Sequence, residues 1–428
     1  MAKYALLNCW TDRNKGDLGI MIATIEEIRK VDIDARIIGI SCFSDYDEMF
    51  HKRHIILKDY VDELYPALYG NLIFCIGQRE YKNTVCKILL RLFELIRMAF
   101  VFVLPNKCAR LFLTQQEIST LTAIMSCDIS IAKGGSVFVE YANTLRARMA
   151  LTRICNMYDL LHKFHCPYYI LGQSFGPVRS KRGIRDVNRV IHNAEKVFLR
   201  EFACVKEYPE LALQGDNILF SNDAGFLLPS IKPSGDTGIV EGHFNVGMTL
   251  RPAGEDMMAY ECEMAKVIQQ LCNIYGADVH IFPQVSEDSE PDNTTALRII
   301  KKIEKPYQSQ VYHHTENLRP QEMKYQYGQM RIFIGTRLHS TIFALSAGTP
   351  AIVLVYHGTK AQGIFDAIGI PEMVVLAPIT SEKVMEQVSY AVNNRDRIKN
   401  TIAEGVMKAQ KDMTNAIRII INDASKRK

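Results

Sequence analysis

The chain has 428 residues, 48% of them apolar and 23% charged, which excludes a disordered or fibrous protein and is enough for two domains of ordinary size. A formal net charge of +4 is too mild to argue for nucleic acid, and suits acidic small substrates or a negative membrane surface. The eleven cysteines are scattered, with no C-x-x-C pair and no metal-ligand spacing. They read as reduced thiols in a cytoplasmic protein.

The amino-terminus runs directly into a strand, Tyr4 to Trp10, so no secretory signal is expected. The loop TDRNKGD follows, and Leu18 to Val31 carries helical periodicity. A loop between strand and helix is a site-forming turn: Asn14, Gly16 and Asp17 line a crevice, or Asp17 is simply the helix N-cap. Ala35 to Ile40 is a second strand. Val85 to Leu113 is dense in apolar residues, interrupted by Lys87, Arg91 and Arg97, with Lys82 before it, Lys107 and Arg110 near its end and Glu94 its only acid. The apolar tract between Arg97 and Lys107 is too short to span a bilayer. As a basic amphipathic helix it lies in a membrane interface with Phe93, Phe100 and Phe102 inserted and the cations near lipid phosphates, or else it packs on its own domain's core or forms an oligomer contact. Cys127 to Ala132 is a strand ending in Lys133, Gly134, Gly135 and Ser136, where paired glycines let a ligand approach the backbone. After a helix over Asn143 to Phe164, Tyr168 to Gln173 ends in GQSFGP. VFLRE ends in Arg200 and Glu201, and Asn217 to Ser221 leads to Asp223.

The aperiodic Leu228 to His243, with two prolines and three glycines, reads as a linker. A second α/β series begins with a strand ending at Arg251. A helix over Ala259 to Tyr275 and a strand over Asp278 to Gln284 follow, then the acidic loop SEDSEPD, read as solvated, and a short strand near Val311. Ile332 to Ile334 is a buried strand, Gly335 a tight turn, and a helix runs from Leu338 to Gly348, where Pro350 blocks it. Ala351 to Tyr356 returns as a strand. Arg337 and His339 on the first helical turn oppose the helix dipole, which makes sense if an anion shares the site. Lys360 and a last strand, Val374 to Leu376, precede helix over Ser381 to Ser425. The expected fold is α/β: two doubly wound Rossmann-like domains facing a cleft, the GT-B architecture. The amino-terminal domain spans 1–228 with the basic insertion at 85–113, the carboxyl-terminal domain spans 244–380, and helices over 381–428 cross back to the first domain.

Arg200, Arg251, Arg337, His339 and Lys360 all fall at strand ends, so a small polyanion is the implied ligand. Asp17, Glu201, Asp223, Glu287 and Asp288 are the candidate acids and bases. No Walker loop or G-x-G-x-x-G is present.

As a set, NKGDLGI from Asn14, IAKGGSVF, YILGQSFGP, FLRE, SNDAGF, and GTRLHSTIFALSAGTPAIVLVY followed by Lys360 resembles the polysaccharide pyruvyl transferase family, over about residues 4 to 370. The loop YHGTKAQG is longer than the family's usual spacing, and the segment around 85–113 looks like an addition. The resemblance implies phosphoenolpyruvate as donor substrate, no cofactor or metal, and a pyruvate ketal on a sugar of a surface polysaccharide (exopolysaccharide or capsule) or its lipid-linked precursor. The donor would bind the carboxyl-terminal domain and the acceptor the amino-terminal one. Arg337, Leu338 and His339 of R-L-H, with Arg200, would hold the donor's phosphate and carboxylate. Asp17 is the expected base, and His339 the acid or a phosphate ligand. Arg251, Lys360, Gly134, Gly135, Gln173 and Asn14 complete the expected substrate contacts. With a lipid-linked acceptor, the basic segment would bring the enzyme to the inner face of the membrane. The rivals are a nucleotide-sugar glycosyltransferase or sugar epimerase, with Glu287 or Asp288 as the ribose-binding acid, and a binding protein without turnover.

Overall fold

The structure, a computed structural model, describes residues 2–44, 50–68, 84–253, 256–286, 292–356 and 358–426. The chain forms two compact units. One comprises Met1–Asp12, Thr24–Asn222 and Thr414–Lys428; the other comprises Arg13–Ala23 and Asp223–Met413.

The first unit is built on seven parallel strands: β1 (Lys3–Cys9), β2 (Arg36–Ser41), β3 (Glu63–Tyr65), β4 (Ile129–Ala132), β5 (Tyr168–Gln173), β6 (Lys196–Leu199) and β7 (Ile218–Phe220), in the order β3-β2-β1-β4-β5-β6-β7. All six residues of β5 and six of the seven of β1 are buried. Continuous apolar strands of this kind belong to parallel sheets covered on both faces. Its longer helices are the latter part of α1 (Lys15–Val31), α2 (Thr84–Val103), α3 (Gln115–Met125), α4 (Leu145–Lys163) and α5 (Lys181–Asn193). Hydroxyl caps begin several of them: the Thr144 side chain accepts from Ala147 N at the start of α4, and Ser180 from Gly183 N at the start of α5. The core joins β4, β5 and β6 to α4 and α5 through Ala132, Ile170, Val197, Tyr158 and Val190.

The second unit carries six parallel strands: β8 (Asn245–Thr249), β9 (Asp278–Ile281), β10 (Val311–His313), β11 (Ile332–Gly335), β12 (Ala351–Val355) and β13 (Val374–Leu376), ordered β10-β9-β8-β11-β12-β13. Its longer helices are α6 (Met257–Tyr275), α7 (Asp292–Ile300), α8 (Pro320–Gly328), α9 (Leu338–Ser346), α10 (Lys360–Ile368), α11 (Ser381–Asn393) and the first part of α12 (Arg395–Ser425). Both sheets run out in sequence from a first strand in each direction, the Rossmann order. Their switch points lie between β1 and β4 and between β8 and β11, where consecutive helices leave for opposite faces and open a crevice at the strands' carboxyl ends.

Three sequence expectations need correction. The helix expected from Leu18 begins at Lys15, so Asp17 lies inside its first turn. The cap is Asn14, whose Oδ1 accepts from Gly16 N at 3.1 Å and Asp17 N at 3.3 Å. Asn14 and Asp17, expected on the amino-terminal domain, belong to the second unit. In α2, Arg97 turns inward instead of toward lipid phosphates. It donates to Glu94 Oε1 at 2.7 Å, to Glu117 Oε2 at 2.6 Å and to the Phe112 carbonyl at 2.8 Å, and all three charged side chains are buried. Phe102 likewise packs against the core, while Phe93 and Phe100 are exposed. Lys82 and the side chains of Lys87 and Arg91 lie outside the described residues. Among the described residues no helix is long and apolar enough to cross a membrane.

Candidate active site

The crevice of the second unit opens between β8 and β11. Thr336 follows β11 and pins the two strand ends together: its Oγ1 donates to the Thr249 carbonyl at 2.8 Å and accepts from Arg251 N at 3.0 Å. One turn on, Ser340 Oγ lies 2.8 Å from Thr249 Oγ1. Arg251 and Arg337 are thus held on the two sides of the switch point. Arg337 occupies the N-cap position of α9 in an extended conformation without capping it. Its Nη2 donates to Asp292 Oδ1 at 2.6 Å, and its Nε to both carboxylate oxygens at 3.2 and 3.3 Å. Asp292 is fully buried, and its Oδ2 also accepts from Gln284 N at 3.0 Å and Val285 N at 2.9 Å. Burial pushes the Asp292 carboxyl above its ordinary range, with Arg337 opposing the shift.

Asp292 is the last residue of SEDSEPD, the stretch read as a solvated loop. The structure contradicts that reading at this residue, because the α7 start turns it inward onto two backbone amides and a guanidinium. Glu287 and Asp288 lie outside the described residues.

His339 sits in the first turn of α9, with its Nε2 3.8 Å from Asp223 Oδ2. Asp223 is buried and its Oδ1 accepts from Gly225 N at 2.7 Å, so the carboxylate that faces the imidazole is itself fixed. The start of α1 closes over the same turn. A Cβ on Gly16 would stand 2.4 Å from His339 Nδ1, and one on Gly19 would stand 2.5 Å from Phe343 Cζ. Residues 16 and 19 share a face of α1, as 339 and 343 share one of α9, so glycines three apart allow the two helices to touch. Asp17 follows in that turn and accepts from Asn14 Nδ2 at 2.6 Å. The segment is further stitched to the β9 exit: Lys15 N donates to the Gln284 carbonyl at 3.0 Å and Ser286 N to that of Arg13 at 3.0 Å. The residues after β9 thereby hold both Asp292 and the α1 start.

Arg251 also lies near two phenols. The Tyr260 and Tyr356 rings meet edge-on at 5.6 Å, and burial raises the Tyr356 phenol while the Arg251 charge opposes it. Lys360 opens α10, and Leu338 opens α9 with its carbonyl accepting from Thr341 Oγ1.

The first unit gathers the remaining predicted residues at the carboxyl ends of β4, β5 and β6. Gly134 packs against the Gly172 carbonyl, which a Cβ would approach to 2.9 Å. Gly135, at φ +122°, donates its N–H to that carbonyl and accepts from Ser174 N. Gln173 is buried with its amide donating to the Ser174 carbonyl, and Arg200 Nε donates to Ser174 Oγ at 2.9 Å. Lys133, buried beside them with Nζ 3.3 Å from the Gly134 carbonyl, was missed as a site residue, although its place directly after a buried strand is the signal that singled out Arg200. Thr336 was missed too; a hydroxyl in a strand-to-helix turn is too common a pattern to stand out.

A family model described as Polysaccharide pyruvyl transferase matches residues 14–358. The chain belongs to the polysaccharide pyruvyl transferase family. The match runs from the Asn14 cap to just past β12, so it takes in every predicted site residue of this family member except Lys360. The amylovoran biosynthesis protein AmsJ of Erwinia amylovora is 22% identical over 424 residues, covering 94% of this chain and 95% of its own. Solved structures of similar fold include a putative UDP-N-acetylglucosamine 2-epimerase from Listeria monocytogenes (TM-score 0.60, 11% identity, 100% of this chain and 97% of that one) and the glycotransferase of kitacinnamycin (TM-score 0.54, 10% identity, 98% of each). The chain therefore has a GT-B-type fold of two parallel-sheet α/β domains.

Proposed function

We propose that this protein transfers the pyruvyl group of phosphoenolpyruvate to two hydroxyls of one sugar, forming a pyruvate ketal and releasing phosphate. The acceptor is a sugar of a surface polysaccharide or of its lipid-linked precursor. Family membership supports the reaction class, and the amylovoran role of the Erwinia relative supports the acceptor class. The observation that carries the reading is the Arg337 guanidinium, locked by buried Asp292 at the sheet's switch point, in the same helical turn as an imidazole faced by Asp223.

In this reading Arg337, Arg251 and Lys360 receive the donor's phosphate and carboxylate. His339, oriented by Asp223, gives a proton to the donor's methylene carbon, and the electron-poor C2 is attacked by a sugar hydroxyl whose proton passes to Asp17. The bond from C2 to the phosphate oxygen breaks and phosphate departs. The second hydroxyl then adds to C2, loses its proton and closes the ketal. Proton transfers of this kind contribute ~10²–10⁴-fold, and fixed cations on the leaving phosphate stabilise its developing charge.

The test is incubation with phosphoenolpyruvate and acceptor glycan from cells lacking the protein, reading phosphate release and the ketal by mass spectrometry. Wild type is expected to give both, and Arg337→Ala and His339→Ala neither. Thermal stabilisation by a UDP-sugar with no response to phosphoenolpyruvate would overturn the reading in favour of a nucleotide-sugar enzyme.

A further inference from the structure

Helix α2 is turned inside out for a surface helix in water. Its described charged residues, Glu94 and Arg97, face the domain and are closed off by Glu117. Its outward side is apolar. At 100° per residue, Val85, Leu92, Ile96 and Val103 form the middle of that side, with Phe93 at one edge and Leu95 at the other, an arc of roughly 160°. All six are exposed, Leu95 by 64% and Val103 by 81%. Among the described residues of this arc none is charged. Just beyond the helix, Lys107 and Arg110 are exposed, and Leu111 between Arg110 and Phe112 is 82% exposed.

We propose that this face is a membrane-docking surface: α2 lies in the plane of an anionic phospholipid interface, with its apolar arc among the acyl chains and Lys107 and Arg110 at the headgroups. The width of the arc selects this occupant. A second copy of the helix would cover the narrow seam of a helix pair and leave Phe93 and Leu95 in water, whereas a planar apolar medium reaches both edges at once. The cations at the helix's end match a negative headgroup layer. The buried Arg97 cluster supplies the rigid attachment: the helix is bolted to its domain by its polar side, so the apolar side is presented whether or not lipid is there. Lys163 adds to the attachment by donating to the carbonyls of Phe102 and Leu104 at the helix end.

Flotation of the full chain with vesicles of phosphatidylcholine alone, and of phosphatidylcholine mixed with phosphatidylglycerol, tests this without donor or acceptor, so its failure and that of the pyruvyl transfer reading are separate results. Wild type should float with the mixed vesicles and less with the neutral ones, and added salt should release it. Leu92→Glu with Ile96→Glu should weaken binding at least about tenfold with an unchanged circular dichroism spectrum. Lys107→Glu with Arg110→Glu should remove the preference for anionic vesicles; this pair lies outside α2 and decides the question should the first variant misfold. No flotation of wild type, or equal flotation of both variants, overturns the proposal. So does a dimer in sedimentation that Leu92→Glu with Ile96→Glu converts to monomer, which would make the face a contact between copies.

Discussion

Asp292→Asn isolates what holds the guanidinium of the candidate site. The native carboxylate accepts on both oxygens, Oδ1 from Arg337 and Oδ2 from two backbone amides as well as more weakly from Arg337 Nε. An asparagine has one acceptor oxygen, so its NH₂ must face either the amides or the guanidinium, and both are donors. Arg337 is 11% exposed and Asp292 1%, so water cannot take over. Leaving one member of such a pair costs about 3–5 kcal/mol. Removing both, in Asp292→Leu with Arg337→Met, should cost at least about 2 kcal/mol less than Asp292→Leu alone, because no orphaned charge remains. The pH dependence has a defined sign. Burial holds the Asp292 carboxyl above its ordinary value despite Arg337, so the stability this titration contributes is full below the ordinary carboxylate pKa and is lost as pH rises through the raised value. Asp292→Asn lacks this titration, so its deficit against wild type should widen in acid and narrow as pH rises through the raised value. Trp10 is the chain's one tryptophan and belongs to the first unit, so unfolding is followed by circular dichroism in urea and by hydrogen exchange over residues 332–346. A loss under about 1 kcal/mol for Asp292→Asn, with an additive double-mutant cycle, would refute the reasoning. The pair would then be dispensable for holding Arg337.

Three further outcomes follow from particular contacts. Gly16→Ala drives a methyl to within 2.4 Å of His339 Nδ1, so the imidazole must shift; phosphate release should fall by about 10²-fold with the melting temperature changed by only a few degrees, and full activity would show that His339 needs no exact position. Arg97→Met leaves Glu94 and Glu117 buried without their cation and should destabilise the first unit by about 3–5 kcal/mol; adding Glu94→Gln should restore part of it, read by urea denaturation with Trp10 fluorescence. Burial lowers His280, stacked on Tyr312 and bonded to His314 and Asn245, to about 4. Its folded pKa is depressed, so its contribution is present above the unfolded value near 6.5 and is lost as pH falls toward about 4. His280→Gln should flatten the stability profile in that window by up to about 1.4 kcal/mol per pH unit, and an unchanged slope would contradict it.

Much of this protein was legible before any contact was known. Apolar runs such as Tyr168–Leu171 and Ile332–Ile334 announce buried parallel strands, because both faces of such a strand are covered. Residues directly after those runs fall at the carboxyl edge of the sheet, which placed Gly134, Gly135, Gln173, Arg200, Arg251 and Arg337 correctly at strand ends by counting alone. Those are local facts, set by periodicity and by the chain's short reach from strand to turn.

Tertiary structure alone decided which of these residues meet. Asn14, Gly16 and Asp17 precede His339 by more than three hundred positions, and the helix contact at Gly16 and Gly19, with the hydrogen bonds to the β9 exit, puts them in one unit with it. Asp292 looked like a solvated acid in an acidic loop; a partner forty-five residues away and two backbone amides made it a buried anchor. Arg97 had the pattern of an outward cation, and Glu117 reversed it. The reason is the same in each case. A charged side chain's place depends on whether a specific partner offsets its desolvation, and a partner's position is a property of the fold rather than of the local sequence.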